Sequence, residues 1–198
     1  LIGLSGKIGA NNGISINSVN GVVSLSGSEI DAGTGDLNVN GGLEGVSLSG
    51  AVKAGNATFK SDTYSDYGFV GDVLVNDWRG SGVFAASGRD VSVAGNQGVE
   101  LGDVKSTGDI RVYMNSGNIT IDDNAHVVSS GTGSKVRIAT GIDGEGAGDV
   151  TVKGMVSGGS LVQFSVAGNM VVEGMGKVTA NESESQVLVT AKKNNDVG

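Results

Sequence analysis

The chain contains no cysteine and no proline, and aromatic side chains supply only 4% of its 198 residues. Without cysteine there is no disulfide framework and no thiolate metal site. Such a chain also suits passage across an envelope in the unfolded state, where free thiols would cross-link it. The lack of proline fits interior strands, whose every N–H must donate to a neighbour. So few aromatics argue against a thick globular core. Cations are scarce as well: 13 Lys and Arg stand against 21 Asp and Glu, for a formal charge of −8. The only close basic pair is Lys192-Lys193. Nucleic acid is therefore excluded as a partner, because neutralising phosphates needs clustered Lys and Arg. Anionic membrane surfaces are disfavoured for the same reason, while an acidic surface keeps a long secreted protein in solution. No run of 18 apolar residues is present to span a bilayer, and no signal peptide opens the chain. Residue 1 is Leu and the pattern described next begins at once, so the chain is expected to be a segment of something longer.

Glycine is abundant, at 36 residues, but it does not fall at every third position, which excludes collagen. It recurs instead in a short phrase, Gly-Asp/Asn-φ-x-φ with φ apolar. The phrase reads Gly35-Asp36-Leu37-Asn38-Val39, Gly71-Asp72-Val73-Leu74-Val75 and Gly108-Asp109-Ile110-Arg111-Val112, and again from Gly55, Gly117, Gly148 and Gly168. A turn pair followed by an alternating triplet describes one corner and one short face. Further triplets occur at 14–16, 23–25, 46–48, 91–93, 99–101, 136–138, 162–164 and 187–189. In each, the first and third side chains are expected to point inward and the middle one outward. One triplet cannot bury its apolar face alone, whereas stacked copies build a continuous core. Pairs of spacings sum to about 20 residues, as from Leu37 to Ala57 or Val150 to Met170. The expected fold is all-β, a single parallel β-solenoid over 1–198 with about 20 residues per coil. About ten coils at the strand spacing give a rod of roughly 45–50 Å. No window shows helical periodicity.

One region departs from the pattern. Residues 60–80 carry Tyr64, Tyr67, Phe69 and Trp78, including the sole tryptophan and two of three tyrosines. This aromatic excursion either covers a coil edge or offers a platform for sugar or a protein partner. Tyr64, Tyr67, Trp78 and the adjoining Arg79 are the candidate binding residues. Residues 180–186 are polar, and 192–198 read as a frayed end.

Candidate catalytic groupings are weak. Asp122, Asp123 and His126 lie close together and Lys135 and Arg137 follow, but adjacent aspartates on a strand point to opposite faces, so a solvated turn is expected. The glycine-rich 141–149 segment contains one imperfect copy of a calcium-binding nonapeptide, a motif that works only in consecutive copies. A nucleophile–histidine triad is improbable with a single histidine. The sequons at Asn56, Asn118 and Asn181 read first as corner asparagines. No cofactor or metal is expected.

Taken together, the Gly-Asp/Asn-φ-x-φ corners, the period near 20 and the Gly/Asn/Ser/Val-rich, cysteine-free composition resemble the repeat region of filamentous haemagglutinin. More broadly they resemble two-partner secretion exoproteins and autotransporter passengers. The resemblance implies a right-handed parallel β-helix, secreted or held on a bacterial cell surface after export through an outer-membrane pore. It implies a non-enzymatic adhesin stalk whose loops meet a host-cell receptor, a glycan or a neighbouring bacterial surface. A polysaccharide lyase or glycosidase, and a phage tailspike, are the alternatives on the same architecture.

Overall fold

The computed structural model describes residues 1–64, 68–141 and 147–191. They form an all-β parallel solenoid of about 8 turns with no helix. Two long parallel sheets make its walls. One stacks Ile2–Leu4, Val22–Ser24, Gly45–Lys53, Asp72–Trp78, Val91–Gly95, Ile110–Met114, Lys135–Thr140, Leu161–Val166 and Gln186–Ala191. The other runs from Ile14–Asn17 through Leu37–Asn40, Ala57–Lys60, Val83–Gly88, Val99–Ser106, Ile119–Ile121 and Val150–Val152 to Met170–Val172.

Alternation fixes what each wall buries. On the first sheet Val73, Val91, Ile110, Val136 and Val162 stand in one register row, and Val75, Val93, Val112, Ile138 and Phe164 in the next inward row. Leu37, Val39, Phe59, Leu101, Ile119, Ile121, Val150 and Val152 face them from the second sheet, and all are essentially inaccessible. Outward positions between them carry Ser92, Arg111, Arg137 and Gln163. One wall cannot exclude water without the other, which makes the stack a single core.

The recurring Gly-Asp/Asn pair has a specific structural reason. At the corners the Asp or Asn side chain of one coil accepts a hydrogen bond from a backbone N–H of the next coil. Asp72 Oδ1 accepts from Asp90 N at 3.2 Å, Asp90 Oδ1 from Asp109 N at 2.6 Å, and Asp109 Oδ1 from Lys135 N at 3.0 Å. On another corner Asn118 Oδ1 accepts from Asp149 N at 2.9 Å, and Asp149 Oδ1 from Asn169 N at 2.6 Å. Asn56 also receives Val83 N at 3.1 Å while donating to Asp36. Where the chain bends out of the sheet ladder, these side chains satisfy donors that would otherwise lack partners. The preceding glycines are required by crowding more than by torsion. Only Gly117 among them has a left-handed φ, +81°, whereas a Cβ at Gly71 would overlap the backbone of Gly45 and one at Gly148 that of Gly117, each in the preceding coil.

The period differs from the expected 20 residues. The mean is about 23 residues per turn, because single coils vary widely. Val73 pairs with Val91 only 18 residues on, whereas Val46 pairs with Val73, 27 residues on. The 27-residue coil is the one that also carries the strand pair Thr63–Tyr64 and Gly68–Phe69. The triplet expected at 23–25 is shifted by one position. Val22 and Ser24 are buried, while Val23 and Leu25 are exposed, because the row formed with Ile2 and Val46 runs through Val22.

The cross-section also changes along the stack. In the first three coils an additional strand belongs to the first sheet, as Lys7–Gly9, Glu29–Asp31 and the end of Gly45–Lys53. Later it belongs to the second sheet, as the end of Val99–Ser106, then His126–Ser129, Met155–Gly158 and Lys177–Ala180. The exchange falls in the coil containing Asp72–Trp78 and Val83–Gly88, where both strands show register irregularities. Trp78, Phe84 and Phe59 fill the interior there. Phe84 lies 5.3 Å from Phe59 and 5.3 Å edge-on to Trp78, between ring centroids.

Candidate functional site

The four residues singled out from the sequence do not form one surface. Trp78 is fully buried, so its expected role as an exposed platform is corrected. A bulge at Asn76 and Asp77 shifts the register between Val75 and Trp78, and this reverses the in–out phase. Without it, counting alternately from Val73 and Val75 places Trp78 outside. Its indole packs against Gly80, where any Cβ would overlap the six-membered ring. Trp78 Nε1 has no hydrogen-bond acceptor among the described residues.

Arg79 is on the surface and half-exposed, gripping Asp77 in a two-point pair at 2.9 and 2.6 Å. It borders a polar trough of about 400 Å³ with Gln97, Glu100, Asn118 and Thr120. Tyr64 ends the strand Thr63–Tyr64, which pairs antiparallel with Gly68–Phe69. Tyr67 lies outside the described residues. The described part of the 60–80 excursion is thus a short antiparallel strand pair followed by Asp72–Trp78 of the first sheet. Phe69 borders a groove of about 410 Å³ with Lys105, Ser106, His126, Val128 and Ser130, two and three coils further along.

Lys105 and His126 of that groove join a small polar cluster with Asp103. Asp103 receives Lys105 Nζ at 2.8 Å and the backbone N of His126 at 3.0 Å, with His126 Nδ1 at 3.4 Å. The Lys105 ammonium, with the His126 N–H after it, holds the Asp103 carboxyl below the usual carboxylate range despite partial desolvation. Asp122 belongs to a turn, with Oδ1 accepting the N–H of Asp123 at 2.8 Å. Asp123 is exposed. Lys135 and Arg137 sit on the first sheet, where Arg137 and Arg111 share Asp109, at 3.7 and 2.7 Å. Among the described residues no group of three or more potential metal-ligating side chains gathers. Residues 142–146 of the glycine-rich segment and 192–198 lie outside the described residues.

The sequence reading missed the third tyrosine. Tyr113 continues the alternation of Ile110–Met114: Ile110, Val112 and Met114 are buried, and Arg111 and Tyr113 face out. Its register partners are Ala94 on one side and Ala139 on the other. These small neighbours leave open space on both sides of the ring. One trough of about 490 Å³ lies between Tyr113 and Asn76, Asp77, Asn96 and Asn115. Another of about 370 Å³ extends from Tyr113 past Ala139 and Ser165 to Thr190. The signal that locates Tyr113 is the period-two count itself, extended one residue beyond the triplet Ile110-Arg111-Val112.

Comparison with protein-family models, with characterised proteins and with solved structures finds no match for this chain in any of the three.

Proposed function

We propose that this chain is a non-enzymatic segment of a secreted or bacterial surface-exposed adhesin, a rigid stalk that carries lateral contact surfaces. The observation that carries the reading is the single core running through about 8 parallel coils. Each coil adds length at the strand spacing, giving roughly 38 Å of stalk. Outward side chains, exempt from packing, are free to serve as contacts. The side chains most suggestive of acid–base chemistry are engaged structurally: Asp103 by Lys105 and His126, Asp109 by two arginines, and Asp90 and Asp149 by neighbouring corners. In the adhesive reading the partner is a host-cell receptor, a glycan or a neighbouring bacterial surface, reached after export through an outer-membrane pore.

The test is attachment. Beads coated with the purified chain should adhere to epithelial cells in excess of beads coated with an unrelated acidic protein. Equal adherence of the two would overturn the adhesive reading.

A further inference from the structure

We propose that Tyr113 and the two troughs flanking it form a binding site for a neutral oligosaccharide lying along the stalk. The assignment rests on the adhesive reading and gives it a ligand class. Tyr113 is the only aromatic residue in its outward register row, which reads Ala94, Tyr113, Ala139, Ser165 and Thr190 across five successive coils. The methyl side chains beside it and the troughs on both sides leave its ring accessible to a flat ligand. An aromatic face is electron-rich, so it receives the C–H face of a pyranose ring while water is displaced from both.

The rim supplies the complementary polar chemistry. Asn76, Asn96 and Asn115 line the larger trough. Asn115 donates to Asn96 at 2.8 Å, which leaves the Asn96 amide donors and the Asn115 carbonyl oxygen to pair with vicinal hydroxyls. Ser165 and Thr190 add hydroxyls on the other side. A pocket with an apolar floor and a few placed polar groups is the usual form of a small-ligand site.

Charge narrows the class further. Among the described residues lining the two troughs the one charged side chain, Asp77, is held by Arg79. The described lining therefore presents no unpaired ion to a sulfate or uronate. From Asp77 to Thr190 the troughs cross five coil steps, about 24 Å at the strand spacing. That length accommodates several sugar rings in a row and favours a chain over a single sugar.

A glycan array probed with the purified chain, followed by calorimetry on the best neutral oligosaccharide, tests the assignment. Binding should fall about tenfold or more in Tyr113→Ala, as for the loss of a central aromatic anchor, and persist within about threefold in Tyr113→Phe, which keeps the ring. Ser165→Gln, at a partly exposed outward position lining the second trough, should also weaken binding while circular dichroism stays unchanged. Unaltered binding in Tyr113→Ala, or a preference confined to acidic glycans, would overturn the site. Cell adherence without any glycan binding would overturn it too, while leaving the adhesive reading standing.

Discussion

Replacing Trp78 with alanine should damage this protein more than any other single aromatic change, because the indole fills the interior where the coil cross-section is rearranged. The side chain is wholly buried, edge-on to Phe84 at 5.3 Å and packed on Gly80. Trp-to-Ala truncation in a core costs about 3–5 kcal/mol. Loss of the edge-on aromatic pair adds to this, by roughly 0.5–1.5 kcal/mol. A gain offsets part of it: the Nε1–H has no acceptor among the described residues, and an unsatisfied buried donor costs about 1–3 kcal/mol. The net expectation is a loss of about 3 kcal/mol. With a urea m-value of roughly 2–3 kcal/mol/M, the midpoint falls by about 1–1.5 M. Trp78→Phe removes the same N–H while retaining an apolar ring, so its loss should be well under half as large. The transition is followed by far-ultraviolet circular dichroism, since the variants lack the sole tryptophan. A fall of less than about 0.3 M for Trp78→Ala, the size expected of a surface change, would refute the assignment of Trp78 to the core.

Three further outcomes follow from the corners and the polar cluster. Asp90→Ala deletes the acceptor for Asp109 N at 2.6 Å and should cost about 1.5–3 kcal/mol, with faster hydrogen exchange at Asp109; unchanged exchange there contradicts the ladder. Gly35→Ala brings a Cβ into the Gly13 backbone, whereas Gly3→Ala meets nothing within 4 Å. Gly35→Ala should therefore lose about 1–3 kcal/mol and Gly3→Ala less than about 0.5, read by thermal melting, and equal shifts contradict the stacking. Lys105→Met should raise the Asp103 pKa towards the ordinary range, seen in the carboxyl carbon-13 titration. The carboxyl is depressed in the native protein, so its stabilising contribution is present above the unfolded pKa of about 3.9 and is lost as pH falls through the lower native value. No movement on substitution would remove Lys105 as the cause.

Much of the architecture was legible because one constraint repeats. Gly and Asp or Asn are needed together wherever a corner must accept the N–H of the coil above and leave no room for a Cβ, as at Gly71-Asp72, Gly108-Asp109 and Gly148-Asp149. The alternating triplets then mark the walls. The period was less legible, because 18-residue and 27-residue coils occur in one stack and their mean is not visible in any single interval. Trp78 was misplaced because a bulge reverses phase without any signature in composition; Asn76 and Asp77 are ordinary turn residues. The triplet at 23–25 failed because Val22-Val23 offers two equivalent phases, and only pairing with Ile2 and Val46 selects Val22. Tyr113 was readable in principle, since its phase follows from Ile110 and Val112. That its neighbours across the coils are Ala94 and Ala139 is a matter of register, fixed by coil lengths on either side.

The most direct test of the account is an amide chemical-shift map of the nitrogen-15-labelled chain titrated with a neutral oligosaccharide selected from the array. Binding along the stalk predicts shifts concentrated at Asn76, Asn96, Tyr113, Asn115 and Ser165, on one face and across successive coils. Shifts confined to the strand pair Thr63–Tyr64 and Gly68–Phe69, or no shifts at saturating saccharide, would contradict it.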